Sequence, residues 1–115
     1  MDVTRLGDAH SYVAPSHFDC IALRLQGWEV SDTKSFWVGL SHFLPRGGCE
    51  FEAGALEKVY VVIAGEITIR TDAGETTLQA LDSCHIPAGE ARSIENRTNL
   101  PASMMVVMPY PPERA

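Results

Sequence analysis

With 115 residues, 45% of them hydrophobic and 21% charged, the chain is long enough for one buried core and too short for two, and its composition excludes disorder throughout. A formal charge of −6, without basic clusters to collect phosphates, speaks against nucleic-acid binding. The longest apolar run, Val59 to Ala64, is far below the roughly 20 residues of a membrane-spanning helix, so no membrane contact is expected.

Met1-Asp2-Val3-Thr4-Arg5-Leu6 has no basic cluster leading into an apolar stretch, so no secretory signal is expected and the cytoplasm is the expected location. Residues 1–19 form a polar lead-in containing Pro15, expected to pack over the core or reach a partner subunit, with His10 and His17 exposed to solvent. Beyond it, short runs rich in Val, Ile, Thr and aromatics are broken by turn residues about every 8 to 12 positions, the signature of an all-β sandwich or barrel. Strands are expected over Cys20–Leu25, Ser35–Phe43, Glu57–Ile63, Glu66–Thr71, Glu75–Leu78, Ser83–Ile86, Arg92–Glu95 and Ala102–Met108, with no helix. A set of that size suits a jelly roll.

Turn chemistry punctuates these strands. Ala64-Gly65-Glu66 and Asp72-Ala73-Gly74-Glu75 each place a glycine where a tight reversal needs positive φ. Pro45-Arg46-Gly47-Gly48 reads as a loop that ends the second strand, because proline cannot donate to a ladder. Trp28 and Trp37 read as packing residues, and Cys20, Cys49 and Cys84, an odd set without C-x-x-C spacing, as reduced, partly buried thiols. Pro109-Tyr110-Pro111-Pro112 reads as an extended tail. The expected organisation is one domain over 1–115, with an arm at 1–19, a core at 35–108 and a tail at 109–115.

Two stretches, Leu56 to Glu66 and Asp82 to Asn96, resemble the paired motifs of the cupin family. Gly65 stands where the first motif ends, Pro87-Ala88-Gly89 and Asn96 frame the second, and Asp82 matches an acidic residue often found before that strand. The resemblance implies a single-domain cupin-like jelly-roll β-barrel around a small pocket, and a homodimer, as many relatives are. Counting from Gly65 and Gly89, it also places the family's metal-ligand positions at Glu52, Gly54, Lys58 and Arg92. None of these is the family's histidine or glutamate ligand, so no bound metal is the expected state. The open alternative is a divalent ion such as zinc or iron held by an unfamiliar set drawn from Glu52, His42, His85 or Cys84.

Alternation along a strand puts Lys58, Tyr60 and Val62 on one face, the pocket side if the barrel matches the family. Arg92 is expected to project into the same space, with Glu52 nearby. Two fixed positive charges there demand a negative counterpart: Glu52 answers one, and a small carboxylate or keto acid answers the other. Arginine suits a bidentate grip on that carboxylate, and lysine suits electrostatic stabilisation or proton transfer, pointing to isomerisation, epimerisation or elimination. Lys58, Arg92 and Glu52 are therefore the catalytic candidates, with Tyr60, His42 and His85 as ligand-binding candidates. A non-catalytic sensor or binding module using the same pocket is the alternative, and an internal ion-pair network with Glu52 or Glu57 is the structural one. His42, on the face of Phe36, Val38, Leu40 and Leu44, is otherwise expected in the core.

Overall fold

In a computed structural model that describes residues 1–112, the chain is all-β apart from one 3₁₀ turn at Leu6–Asp8. The strands are β1 His10–Tyr12, β2 His17–Gln26, β3 Phe36–Ala53, β4 Lys58–Ala64, β5 Ile67–Thr71, β6 Gly74–Leu78, β7 Ser83–Ile86, β8 Ala91–Glu95 and β9 Ala102–Pro109. They are hydrogen-bonded antiparallel in the order β6-β5-β8-β3-β9-β4-β7, with β2 on β3 and β1 on β2. This is a nearly closed jelly-roll barrel.

The expected strands all form, and β1 is an addition from the lead-in. The larger correction concerns Pro45-Arg46-Gly47-Gly48, expected to end a strand: β3 runs on for 18 residues. Its first half pairs with β9 as far as Phe43↔Ala102, and its second half pairs with β8 from Gly48↔Glu95 onward. Pro45 lies between these two ladders, where the missing N–H interrupts neither. Arg46, at φ 74°, bends the strand, and Gly48 lets β8 close in, since a side chain there would collide with the Ile94 carbonyl. One strand thus switches between the two sides of the barrel.

The glycine turns behave as expected. Gly65 has φ 81° and Gly74 φ 128°, conformations in which a side chain is strained. Fully buried Phe43, Val62, Ile67, Ile94 and Cys49 fill the packed end of the barrel. Buried Asn96 ties its loop down by donating Nδ2 to the carbonyls of Phe43 (3.2 Å) and Leu100 (2.8 Å) and accepting from Thr98. The three cysteines are free thiols. Within the expected tail, Pro109 ends β9 and Tyr110 packs edge-on to Trp28; residues 113–115 lie outside the described residues. No helix among the described residues is long and apolar enough to cross a membrane.

On the β2-β3-β9 side both faces of the strands are largely apolar. Trp37, Ser41 and Phe43 point inward, whereas Phe36, Leu40 and Leu44 point out. Registers Leu23↔Leu40, Leu40↔Met105 and Val61↔Met105 build an apolar row across the outer surface of four strands.

Candidate functional site

The barrel's other end opens into a cavity of about 590 Å³, within the range of small-ligand sites. Alternation along β4 carries Lys58 and Tyr60 into it, and the same parity on β8 carries Arg92. Lys58 is only 4% exposed and Arg92 7%. Register Glu52↔Arg92 sets β3 beside β8 at this level, and Gly54 provides the room: a Cβ there would stand 3.1 Å from Lys58 Nζ.

The two cations are held differently. Arg92 Nε donates to the Tyr60 hydroxyl at 2.8 Å, and Nη1 reaches the Glu52 backbone carbonyl at 3.4 Å. That leaves Nη2 and one Nη1 proton without an acceptor among the described residues, on a side chain that lines the cavity and can offer them as a fork. Lys58 Nζ is buried without any hydrogen-bond partner among the described residues. Burial pushes its pKa down, and the neighbouring Arg92 adds to the shift. The Tyr60 phenol is pushed up to about 12 by burial, against the opposing pull of Arg92, so it keeps its proton to donate.

The expected neutralisation by Glu52 is absent. The Glu52 side chain is exposed and accepts from Ser16 Oγ at 2.9 Å, and among the described residues neither Lys58 nor Arg92 has a carboxylate within 4.0 Å. The internal ion-pair alternative lacks its ion pair; Glu57 instead meets His85 Nε2 at 2.9 Å.

Both histidine candidates lie away from the cavity. His85 is exposed opposite Val59 on the outer face, and half-buried His42 is also outward, its Nδ1 2.7 Å from Ser103 Oγ. The apolar series that pointed His42 toward a core is the outer surface, and the cavity takes the opposite parity of β3.

Two cavity residues escaped the sequence reading. His17 was expected in solvent, yet it is half-buried, stacked on Phe43 with ring centroids 6.2 Å apart. A bulge between Phe18 and Cys20, with Asp19 at φ 49°, shifts the parity of β2 and turns His17 inward. Its Nδ1 lies 2.8 Å from the Pro15 carbonyl, which only accepts, so Nδ1 carries the proton and Nε2 is left as an acceptor. Burial, reinforced by Arg92, holds the pKa of this imidazole down. Arg24 is the second, on the inward face of β2 where Ile21 and Leu23 give the outward face its apolar look. The lead-in supplies more of the wall: Tyr12 and Val13 to Pro15 line the cavity, as do Trp28 and Trp37.

The family model for the cupin domain matches residues 39–108. The chain belongs to the cupin family. Over 111 residues it is 45% identical to a Mycobacterium tuberculosis protein named beta-D-galactosidase, with 96% of each chain covered. Among solved structures it is similar to a polyketide cyclase from Streptomyces resistomycificus (TM-score 0.84, 17% identity, 95% of this chain and 79% of that one). It is also similar to a sugar phosphate isomerase of the cupin superfamily from Silicibacter pomeroyi (TM-score 0.77, 23% identity, 94% and 75%). At these identities the structural likenesses speak for the cupin fold.

A metal ion does not suit the residues at the positions that the cupin motifs assign to ligands. Lys58 and Arg92 are cations, Gly54 has no donor, and Glu52 alone is a carboxylate; among the described residues no group of three or more His, Cys, Asp or Glu is gathered for a metal. The same pair of cations suits an anion.

An unpaired buried ammonium destabilises the empty protein. Lys58→Met, which keeps the stem and removes the charge, is expected to raise stability by about 1–2 kcal/mol near neutral pH. The folded lysine loses its proton before the unfolded one, so the penalty is full below the folded pKa and fades as pH rises toward 10.5. Urea denaturation of both proteins from pH 7 upward checks this: the gap between them narrows with pH, and a gap of constant size contradicts it.

Proposed function

We propose that this cupin binds a small carboxylate or keto acid at Lys58 and Arg92 and catalyses proton transfer on it without a bound metal, as an isomerase, epimerase or lyase. One observation carries the reading: the Lys58 ammonium is buried beside Arg92 and, among the described residues, has no partner, with no carboxylate on either side chain. A ligand carboxylate on the Arg92 fork supplies the missing charge, with hydrogen bonds to charged donors worth roughly 1.5–3 kcal/mol each. Lys58 then faces the neighbouring carbonyl oxygen, where an ammonium stabilises the charge of an enolate. Tyr60 fixes the plane of the guanidinium and holds a proton in reserve. His17 Nε2 and the Glu52 carboxylate are the acceptors lining the same cavity, and either takes the proton that the enolate-forming step releases.

Isothermal titration with acetate, lactate and pyruvate tests the site. At least one is expected to bind the wild type, and Arg92→Gln and Lys58→Met each to weaken it about 10- to 100-fold, in line with one charged hydrogen bond lost. Since the anion favours the charged lysine, affinity falls as pH rises through the depressed Lys58 pKa. Binding that survives both substitutions places the ligand elsewhere and defeats the proposal.

The 45% identity to a protein named beta-D-galactosidase favours a second reading, hydrolysis of a galactoside. Most glycosidases use two carboxylates, and Glu52 is the one acidic side chain among the described residues lining the cavity, so His17 or Lys58 would fill the other role. Under this reading nitrophenyl β-D-galactoside is cleaved and Glu52→Gln slows cleavage at least about 100-fold; no cleavage by the wild type removes it.

The homodimer is proposed on separate grounds. The outward residues of 21–25 on β2, 36–44 on β3, 103–109 on β9 and 59–63 on β4 bear no Asp, Glu, Lys or Arg, so in a chain of net charge −6 they form a face on which two copies meet with least repulsion. Light scattering is expected to give twice the chain mass for the wild type and a monomer for Leu40→Arg; a monomeric wild type refutes it.

A further inference from the structure

Across the cavity from Lys58 and Arg92 stands a third cation, Arg24, whose surroundings differ from theirs. Its Cζ lies 3.7 Å from the Tyr12 ring centroid, 4.5 Å from Trp37 and 5.2 Å from Trp28. A guanidinium hemmed in by aromatic rings has its faces occupied, and only its in-plane N–H edge remains to donate. Among the described residues its sole ionic partner is Glu29, at 3.6 Å from Nε, and it donates no hydrogen bond to any of them. The charge is thus half-answered and the Nη edge has no acceptor among the described residues, although the side chain is only 15% exposed.

The clamp is built at the expense of backbone comfort. Trp28 has φ 50° directly after Gly27 at φ 90°, a conformation unusual for a bulky residue. Its backbone N–H donates to the Tyr110 hydroxyl at 3.0 Å, which holds that turn in place. Gly39 leaves the space that the cluster fills, since a Cβ there would press on the Trp37 ring at 2.9 Å and the Tyr12 hydroxyl at 3.1 Å.

Sheet register fixes what lies between the cations. Arg24 pairs with Gly39, Gly39 with Val106 and Val106 with Tyr60, and Tyr60 carries Arg92. A line across the cavity therefore runs from a cationic edge, past the Tyr12 and Trp37 side chains that fill the space over Gly39 and over Val106, to the Tyr60–Arg92–Lys58 group. We infer that Arg24 is a second carboxylate subsite, and that the ligand is a small dicarboxylate with a hydrocarbon spacer. This rests on the anion-binding reading of Lys58 and Arg92 and narrows its substrate class.

Calorimetric titration of linear dicarboxylates of increasing length, each matched with the monocarboxylate of equal carbon number, tests the inference on the wild type without any variant. One dicarboxylate is expected to bind at least tenfold tighter than its match. Arg24→Gln should erase that advantage while changing monocarboxylate affinity less than twofold, and Arg24→Lys, which keeps the charge and loses the fork, should retain part of it. Dicarboxylates that bind the wild type no tighter than their matches overturn the second subsite and leave the first standing, as does an advantage that persists in Arg24→Gln. If neither class binds the wild type, the anion-binding reading itself falls.

Discussion

An ammonium ion enclosed by protein with no acceptor in reach is among the least favourable arrangements a small domain can hold. Here it is Lys58 Nζ, which has no hydrogen-bond partner among the described residues, and several parts of the cavity wall bear on it. Strand alternation drives the side chain inward, Gly54 clears the space for its end, and Arg92, pinned by Tyr60, adds a like charge from the opposite strand. The net effect is a positive potential inside a barrel whose chain is acidic overall. A field of this sign in a low-dielectric enclosure attracts small anions and orients them.

The fold can hold such a site because its stability is gathered elsewhere. The packed end of the barrel, with Phe43, Val62, Ile67 and Ile94, is fully buried, and Asn96 locks the loop after β8 to it. β3 links the two ends: its first half contributes Trp37, Ser41 and Phe43, and its second half, beyond the bend at Arg46, contributes Glu52 and Gly54. One continuous strand therefore sets the distance between the aromatic wall and the charged wall, a rigid placement of the kind that binding sites require.

The barrel was readable because its signals are local. Gly65 and Gly74 mark reversals by backbone chemistry alone, and β4 alternates cleanly enough to place Lys58 and Tyr60 inside. Where the signals conflict, the sequence misleads. Proline at position 45 looks like a terminator, and its missing donor is harmless only because the strand changes partners there. Ile21, Leu23, Leu40 and Leu44 look like core and face outward, while the inward parity of β2 carries Arg24. Cations set in an apolar cavity inside and an apolar surface outside depart from the usual alternation, so His42 was drawn toward the interior and Arg24 passed over. His17 was hidden by a bulge, which shifts parity without a clear sequence mark.

The central claim is that the Lys58 ammonium is desolvated and unpaired until an anion arrives. An NMR titration of its side-chain ε-carbon, assigned by comparison with Lys58→Met, measures this directly. In the ligand-free protein the midpoint lies below the ordinary lysine value of 10.5 and rises when a bound carboxylate is present. A ligand-free midpoint at or above 10.5 would mean that the charge is already compensated, and would contradict the account.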